Sequence, residues 1–205
     1  GLTFDIIVTV YRGEESAQVR IVNYHTNIVH IEKNGEVLLD VAVEGEDESG
    51  LTDRSCLNIA DILDFANSVD IAEVQELLDR QIAYNTAIAA EGLRGDYGSN
   101  IGSILLSTYG DDNVMIRAKA MAAAGSDARM NGCELPVIIN SGSGNPGIAS
   151  TVPVIVYARE KMIGRERLYR ALVFSSLLTV YQKEFIGKLS AFCGAVSASC
   201  AAGAA

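Results

Sequence analysis

The stretch Asn140, Ser141, Gly142, Ser143, Gly144, Asn145, Pro146, Gly147 is the part of the sequence best suited to meet a ligand. Its three glycines let a backbone approach a bound molecule closely. Pro146 suits the first turn of a helix, with Asn145 as the N-cap. Free N–H groups at such a helix start favour an anion, and an amino-acid carboxylate is one. Ser141, Gly142, Gly144 and Asn145 are therefore candidate substrate contacts, and Ser143 a candidate catalytic hydroxyl. By pattern alone, a Gly-Ser loop could also do no more than turn the chain. The Gly-Lys-Ser/Thr ending of a phosphate-binding Walker loop is missing.

Three further groups of residues could do chemistry. Ser126, Asp127 and Arg129 lie close together, and Arg129 could hold a carboxylate; the plainer reading is a helix end with an Asp–Arg pair on the surface. His25 and His30 are the only two histidines. Residues five apart on a strand face opposite sides, so the pair cannot share a metal without a turn between them. One of them could act as a general base, and His25 is the candidate. Cys193 and Cys200 are seven apart and would share a helix face. Spacing alone makes them small buried core residues, and an iron–sulfur cluster would need further thiolates.

The elements that must position these residues fall into two kinds. Residues 1–45 alternate apolar and polar, with an Asn34-Gly35 hairpin signal, which predicts a small antiparallel β unit. Its turn at Gly13–Ser16 and last strand at Val37–Val41 complete a meander that needs cover on one face. Residues 46–56 read as an acidic linker. From Leu57 the period becomes helical. Ile59, Ile62, Leu63 and Ala66 share one stripe, and Ile71, Val74, Leu77, Leu78, Ile82 and Ala89 form another that faces inward. Short helices are expected over 101–109 and 114–124, the latter ending at Gly125, with Pro136 and Pro153 as breaks. A helix over 165–185, apolar nearly all round at its centre, is expected in the middle of a bundle, and a last helix from near Lys188. The fold class is α+β: a small antiparallel β unit, then a mostly α-helical domain over 57–205 with a buried central helix.

Composition excludes some functions. The net charge of −10 gives no electrostatic reason to bind nucleic acid or anionic membrane. No apolar run makes a secure membrane span. The spacing of Cys56, Cys133, Cys193 and Cys200 matches neither a zinc ribbon nor a disulfide framework, so free thiols and a cytoplasmic location are expected. The start without Met and the uncapped Ala-Ala-Gly-Ala-Ala end read as the middle of a longer chain.

Taken in order, His25 to Val29, Glu91-Gly92, Ser126 to Met130, Asn140 to Asn145, Lys188 to Cys193 and the closing Ala201 to Ala205 form a set. The set resembles the serine dehydratase alpha-chain superfamily, in the branch that contains L-cysteine desulfidase. The resemblance implies a lyase that eliminates hydrogen sulfide or water from L-cysteine or L-serine, giving pyruvate and ammonia. It implies a [4Fe-4S] cluster and no pyridoxal phosphate, with one open iron acting as a Lewis acid. Cys193 matches a cluster-ligand position. His25, Ser143 and Arg129 stand as candidates for base, substrate contact and carboxylate contact. The family's Gly-Cys-Thr-Glu-Pro segment and a downstream cysteine segment are absent, and Pro146 stands where relatives often carry Gln. A fragment with one cluster thiolate is expected to be inactive alone. The alternative is a non-catalytic amino-acid-binding or assembly protein of the same fold. The expected partner is a small L-amino acid, and a homo-oligomer is the usual state of such an enzyme.

Overall fold

The computed structural model describes residues 4–23, 26–43, 53–187 and 192–205. The chain divides into two compact units, Gly1–Asp53 and Arg54–Ala205. Residues 44–52, which hold most of the expected acidic linker, lie outside the described residues.

The first unit is a four-stranded antiparallel sheet in the order β1 (Asp5–Arg12), β2 (Glu15–Val22), β3 (Ile28–Lys33), β4 (Glu36–Asp40). Its sequential order follows from tight turns, which allow only antiparallel neighbours. The first turn is shorter than expected: Arg12 pairs with Glu15 across Gly13 and Glu14 alone. At the other hairpin Asn34 and Gly35 have φ of 52° and 83°. That is the backbone a two-residue turn needs to match the twist of its strands. The Asn34 side chain adds a bond, accepting from the Ser16 N–H at 2.7 Å. His30 is an ordinary strand residue whose Nδ1 lies 3.1 Å from the Asp40 carboxylate. Of the described apolar side chains in this unit, only Val22 and Val29 are fully buried.

The second unit is all helical: α1 (Ile59–Ser68), α2 (Ile71–Arg94), α3 (Ile101–Tyr109), α4 (Val114–Met130), α5 (Gly144–Glu160), α6 (Arg165–Ile186) and α7 (Gly194–Ala204). The expected final helix start near Lys188 lies outside the described residues. Asn58, Asp70 and Asn113 cap α1, α2 and α4 with side-chain oxygens, as short polar residues do at helix starts. The last turn of α1 has no basic residue of its own, and Arg170 from α6 supplies one. It donates to the carbonyls of Ala66 at 3.0 Å and Asn67 at 2.7 Å.

The structure corrects four sequence expectations, the first being the stripes of α1 and α2, where Ile59, Leu63 and Leu77 are exposed and only their stripe neighbours turn to the core. The most buried helix is α5, not the apolar α6: 11 of its 17 residues are buried, against 6 of 22 in α6. Small residues let α2, α4, α6 and α7 all close on α5, and size mattered more than hydrophobicity. One apolar cluster gathers Leu78, Ile155, Leu172 and Val173. A second gathers Ile88, Ala89, Ala128, Ile148 and Val152, so α5 runs through both. Next, α4 does not stop at Gly125 but runs on to Met130. Gly125 is buried against Ala89 of α2, and helix packing overrides its stop signal. The helix ends instead at Gly132, with φ of 85° and the Cys133 N–H bonded back to Ala128 O at 3.0 Å. Finally, Pro153 lies inside α5 rather than at a break. No described helix is long and apolar enough to cross a membrane.

On the surface of this unit, Asp79 of α2 accepts from Arg165 at 2.7 Å and from the Tyr169 hydroxyl. The Tyr169 hydrogen bond first, and then that of Arg165, hold the Asp79 carboxyl below the usual aspartate range. A lowered carboxyl stabilises the fold above its unfolded pKa of about 4. That contribution is lost as pH falls through the folded value. Asp79→Asn is therefore expected to lower the urea midpoint at pH 7 and to converge with the parent once the pH falls below the lowered Asp79 value. An equal gap at pH 7 and below that value would show that the charge is not responsible.

Candidate functional site

The glycine-serine stretch folds as a tight turn followed directly by a helix. Asn140 and Ser143 exchange two backbone bonds, at 3.0 and 3.1 Å. Between them, Ser141 and Gly142 take φ of 50° and 81°. Ser141 Oγ donates to the Asn140 side chain at 2.8 Å, and Asn140 Nδ2 donates to the Ser176 carbonyl on α6 at 3.2 Å. The turn is thus held to its neighbours through a buried asparagine.

Helix α5 starts two residues before the position expected from an Asn145 N-cap. Ser143 is extended (φ −144°, ψ 156°) and stands at the N-cap, but its side chain makes no capping bond. Four N–H groups at a helix start lack helical acceptors. Here Ser143 N–H is taken by Asn140, and Pro146 has none. Gly144 and Asn145 remain as adjacent donors on the first turn, where the helix dipole adds positive potential. Arg129 from α4 lies across this turn. Its Nη1 donates to Asn145 Oδ1 at 3.1 Å, and its guanidinium occupies the space a Cβ at Gly144 would take. Asp127 does not pair with Arg129. It caps α3 instead, accepting from the Ile101 N–H at 2.9 Å.

Cys193 stands at the N-cap of α7. The next residue, Gly194, is so close to α5 that a Cβ there would lie 3.0 Å from Pro146 Cγ. The starts of α5 and α7 therefore meet, bringing Cys193 beside the turn. Both Cys193 and Cys200 are exposed, which corrects the expectation of small core residues. The structure thus gathers Arg129, Ser141, Gly142, Ser143, Gly144, Asn145 and Cys193 at one end of the helical unit. His25 lies outside the described residues.

Sequence reasoning missed Asn85. It is fully buried on α2, and its Nδ2 lies 3.2 Å from Ile138 O, 3.1 Å from Gly147 O and 3.0 Å from Thr151 Oγ1. Its Oδ1 accepts from the Ile138 N–H at 2.9 Å. The signal was present: Leu78, Ile82, Asn85 and Ala89 follow helical spacing, so the one polar residue sits in the apolar stripe. Gly147 was also undervalued. A Cβ there would collide with the Ile138 carbonyl oxygen.

Among the described residues, no three His, Cys, Asp or Glu side chains gather where they could hold a metal. Cys193 alone does not fit a cluster that needs several thiolates. A second concavity, about 820 Å³, lies among α4, α5, α6 and α7 and is lined largely by alanines, with Lys119, Arg167 and Tyr157 at its wall. Its lining holds no Asp, Glu, histidine or cysteine side chain and, of the residues singled out in the sequence as able to do chemistry, only Ser126.

The family model for the serine dehydratase alpha chain matches residues 6–205. A UPF0597 protein of Desulfitobacterium hafniense (strain Y51) is 57% identical over 203 residues, covering 99% of this chain and 47% of the relative. One from Lachnoclostridium phytofermentans is 58% identical over 199 residues, 97% of this chain and 47% of the relative. One from Treponema denticola is 47% identical over 205 residues, 98% of this chain and 48% of the relative. The chain thus spans about half the length of the curated relatives it matches. No solved structure matches it. With the family model covering nearly every residue, the chain belongs to the serine dehydratase alpha-chain family.

Proposed function

We propose that this region is the carboxylate-holding part of a lyase that eliminates hydrogen sulfide or water from L-cysteine or L-serine. The observation that carries the reading is the pair of N–H groups at Gly144 and Asn145 beneath the Arg129 guanidinium. Two adjacent donors and a cation suit one carboxylate, whose charge makes each hydrogen bond stronger than a neutral one. Ser141, Gly142 and Ser143 belong to the same turn, and the Ser143 hydroxyl, which does not cap the helix, is the hydroxyl assigned to the amino acid.

The reaction removes the proton on Cα and expels hydrosulfide or hydroxide from Cβ. The aminoacrylate left behind tautomerises to an imine, and water releases pyruvate and ammonia. The chemistry assigned to this chain is binding and orientation. Its donors do not complete an iron–sulfur site, so a [4Fe-4S] cluster in a full-length protein would draw thiolates from beyond these residues, with Cys193 beside the substrate turn as one contributor. His25 remains the candidate base.

The test uses the full-length protein, purified anaerobically with iron and sulfide, and follows pyruvate from L-cysteine and L-serine. Activity is expected, with KM raised about 10- to 100-fold in Arg129→Ala, as befits the loss of a charged hydrogen bond of about 1.5–3 kcal/mol. A parent that shows neither product nor an iron–sulfur absorbance band would sink the lyase. Binding of L-serine without turnover would instead favour the amino-acid-binding alternative.

A further inference from the structure

We propose that Asn85 is the positioning residue of the carboxylate turn, an assignment that rests on the binding role given to that turn above. The hydrogen-bond partners of Asn85 are Ile138, Gly147 and Thr151, outside the turn itself. Asn85 ties together the two backbone segments that bracket the turn. Ile138, two residues before the turn, is held by both its N–H and its C=O. Gly147, on the first turn of α5, is held by its C=O. Thr151, one turn further on, donates to the same Gly147 carbonyl at 2.7 Å while its oxygen also lies within reach of Asn85 Nδ2.

The eight-residue interval from Ile139 to Pro146 is therefore clamped at both ends by one amide. Asparagine is suited to this because it carries both an acceptor and two donors in one plane. A carboxylate would face Ile138 O and Gly147 O with no hydrogen to offer. An apolar side chain would leave the half-buried Ile138 N–H and C=O without their protein partner, which costs stability. The separation of Ile138 from Gly147 sets where the Gly144 and Asn145 N–H groups point. A shift of a fraction of an ångström there should weaken a bound carboxylate without unfolding the helices.

The experiment compares Asn85→Ala, the milder Thr151→Val and the control Leu172→Ala in the full-length protein. Leu172 is also fully buried but lies in the other apolar cluster. L-serine affinity is measured by calorimetry at a temperature where each variant is fully folded, and amide exchange over 138–147 by mass spectrometry. Asn85→Ala is expected to lose affinity 10-fold or more, Thr151→Val less, and Leu172→Ala under 2-fold. Exchange over 138–147 is expected to rise in the first two only. If Asn85→Ala does not fold, Thr151→Val decides by the same two readouts. Equal losses in the Asn85 or Thr151 variant and the Leu172 control, or unchanged exchange over the turn, would overturn the assignment. If the parent itself binds no L-serine, the carboxylate reading fails, and the exchange pattern alone then decides whether Asn85 sets the turn.

Discussion

Gly147→Ala is expected to destabilise the helical unit by about 3 kcal/mol or more, the upper range for forced overpacking. The added methyl would be driven into the Ile138 carbonyl oxygen, with Ile139 Cα at 3.0 Å and Asn140 N at 3.1 Å. All three are backbone atoms, so no side chain can rotate away. The opposing segment cannot retreat either, because Asn85 holds Ile138 through both of its polar backbone groups. The start of α5 must then move, and with it the Gly144 and Asn145 donors. Thermal unfolding measures the loss. A midpoint within about 2 °C of the parent would mean that α5 slides freely against the 138–140 segment, and the close approach would not be structural.

The second large effect concerns two glycines where α2 and α4 cross. Helix propensity alone predicts that alanine at either position adds about 1 kcal/mol of stability. Packing reverses this at one and nearly cancels it at the other. A Cβ at Gly92 would overlap the Ala124 carbonyl, with Ala124 Cα at 3.2 Å, so Gly92→Ala is expected to cost about 2–3 kcal/mol. A Cβ at Gly125 would meet Ala89 Cα at 3.2 Å and Ile148 Cγ2 at 3.2 Å, a tight but adjustable fit. Gly125→Ala is expected to stay within about 1 kcal/mol of the parent. Urea midpoints of the two variants test the contrast. Equal effects would mean that the helices do not cross at the distance described.

What could be read from the sequence depended on how local the signal was. The Asn34-Gly35 turn states its own backbone conformation, and the structure has it. The short helix expected over 101–109 and the long one expected over 165–185 are continuous runs between breaks in the sequence, and their bounds hold to within a residue. Gly125 and Pro153 misled because each was judged against its neighbours in sequence. In space, Gly125 is where α2 approaches α4, and Pro153 is carried by a helix packed on several sides. At the site, the turn and Arg129 were legible as residue types, and their contact through Asn145 was not. That contact joins residues 16 apart on different helices. The exposure of Cys193 and Cys200 follows from what packs beside α7, which no spacing reports. Asn85 was the avoidable miss, because a polar residue in an apolar stripe asks for partners.

The sheet carries a consequence for handling the protein. Among the described residues β1 is hydrogen-bonded to β2 alone, and Ile6, Ile7, Val8, Val10 and Tyr11 along it are all exposed. Six consecutive residues of high strand propensity, without charge or proline, are the composition from which cross-strand stacking between molecules starts. Only Asp5 and Arg12 flank them, and both are engaged, Asp5 by Arg20 and Arg12 by Glu15. With those end charges neutralised in pairs, the net charge of −10 is what keeps copies apart, and high salt, which screens it, is the condition under which this strand is expected to meet its own copies.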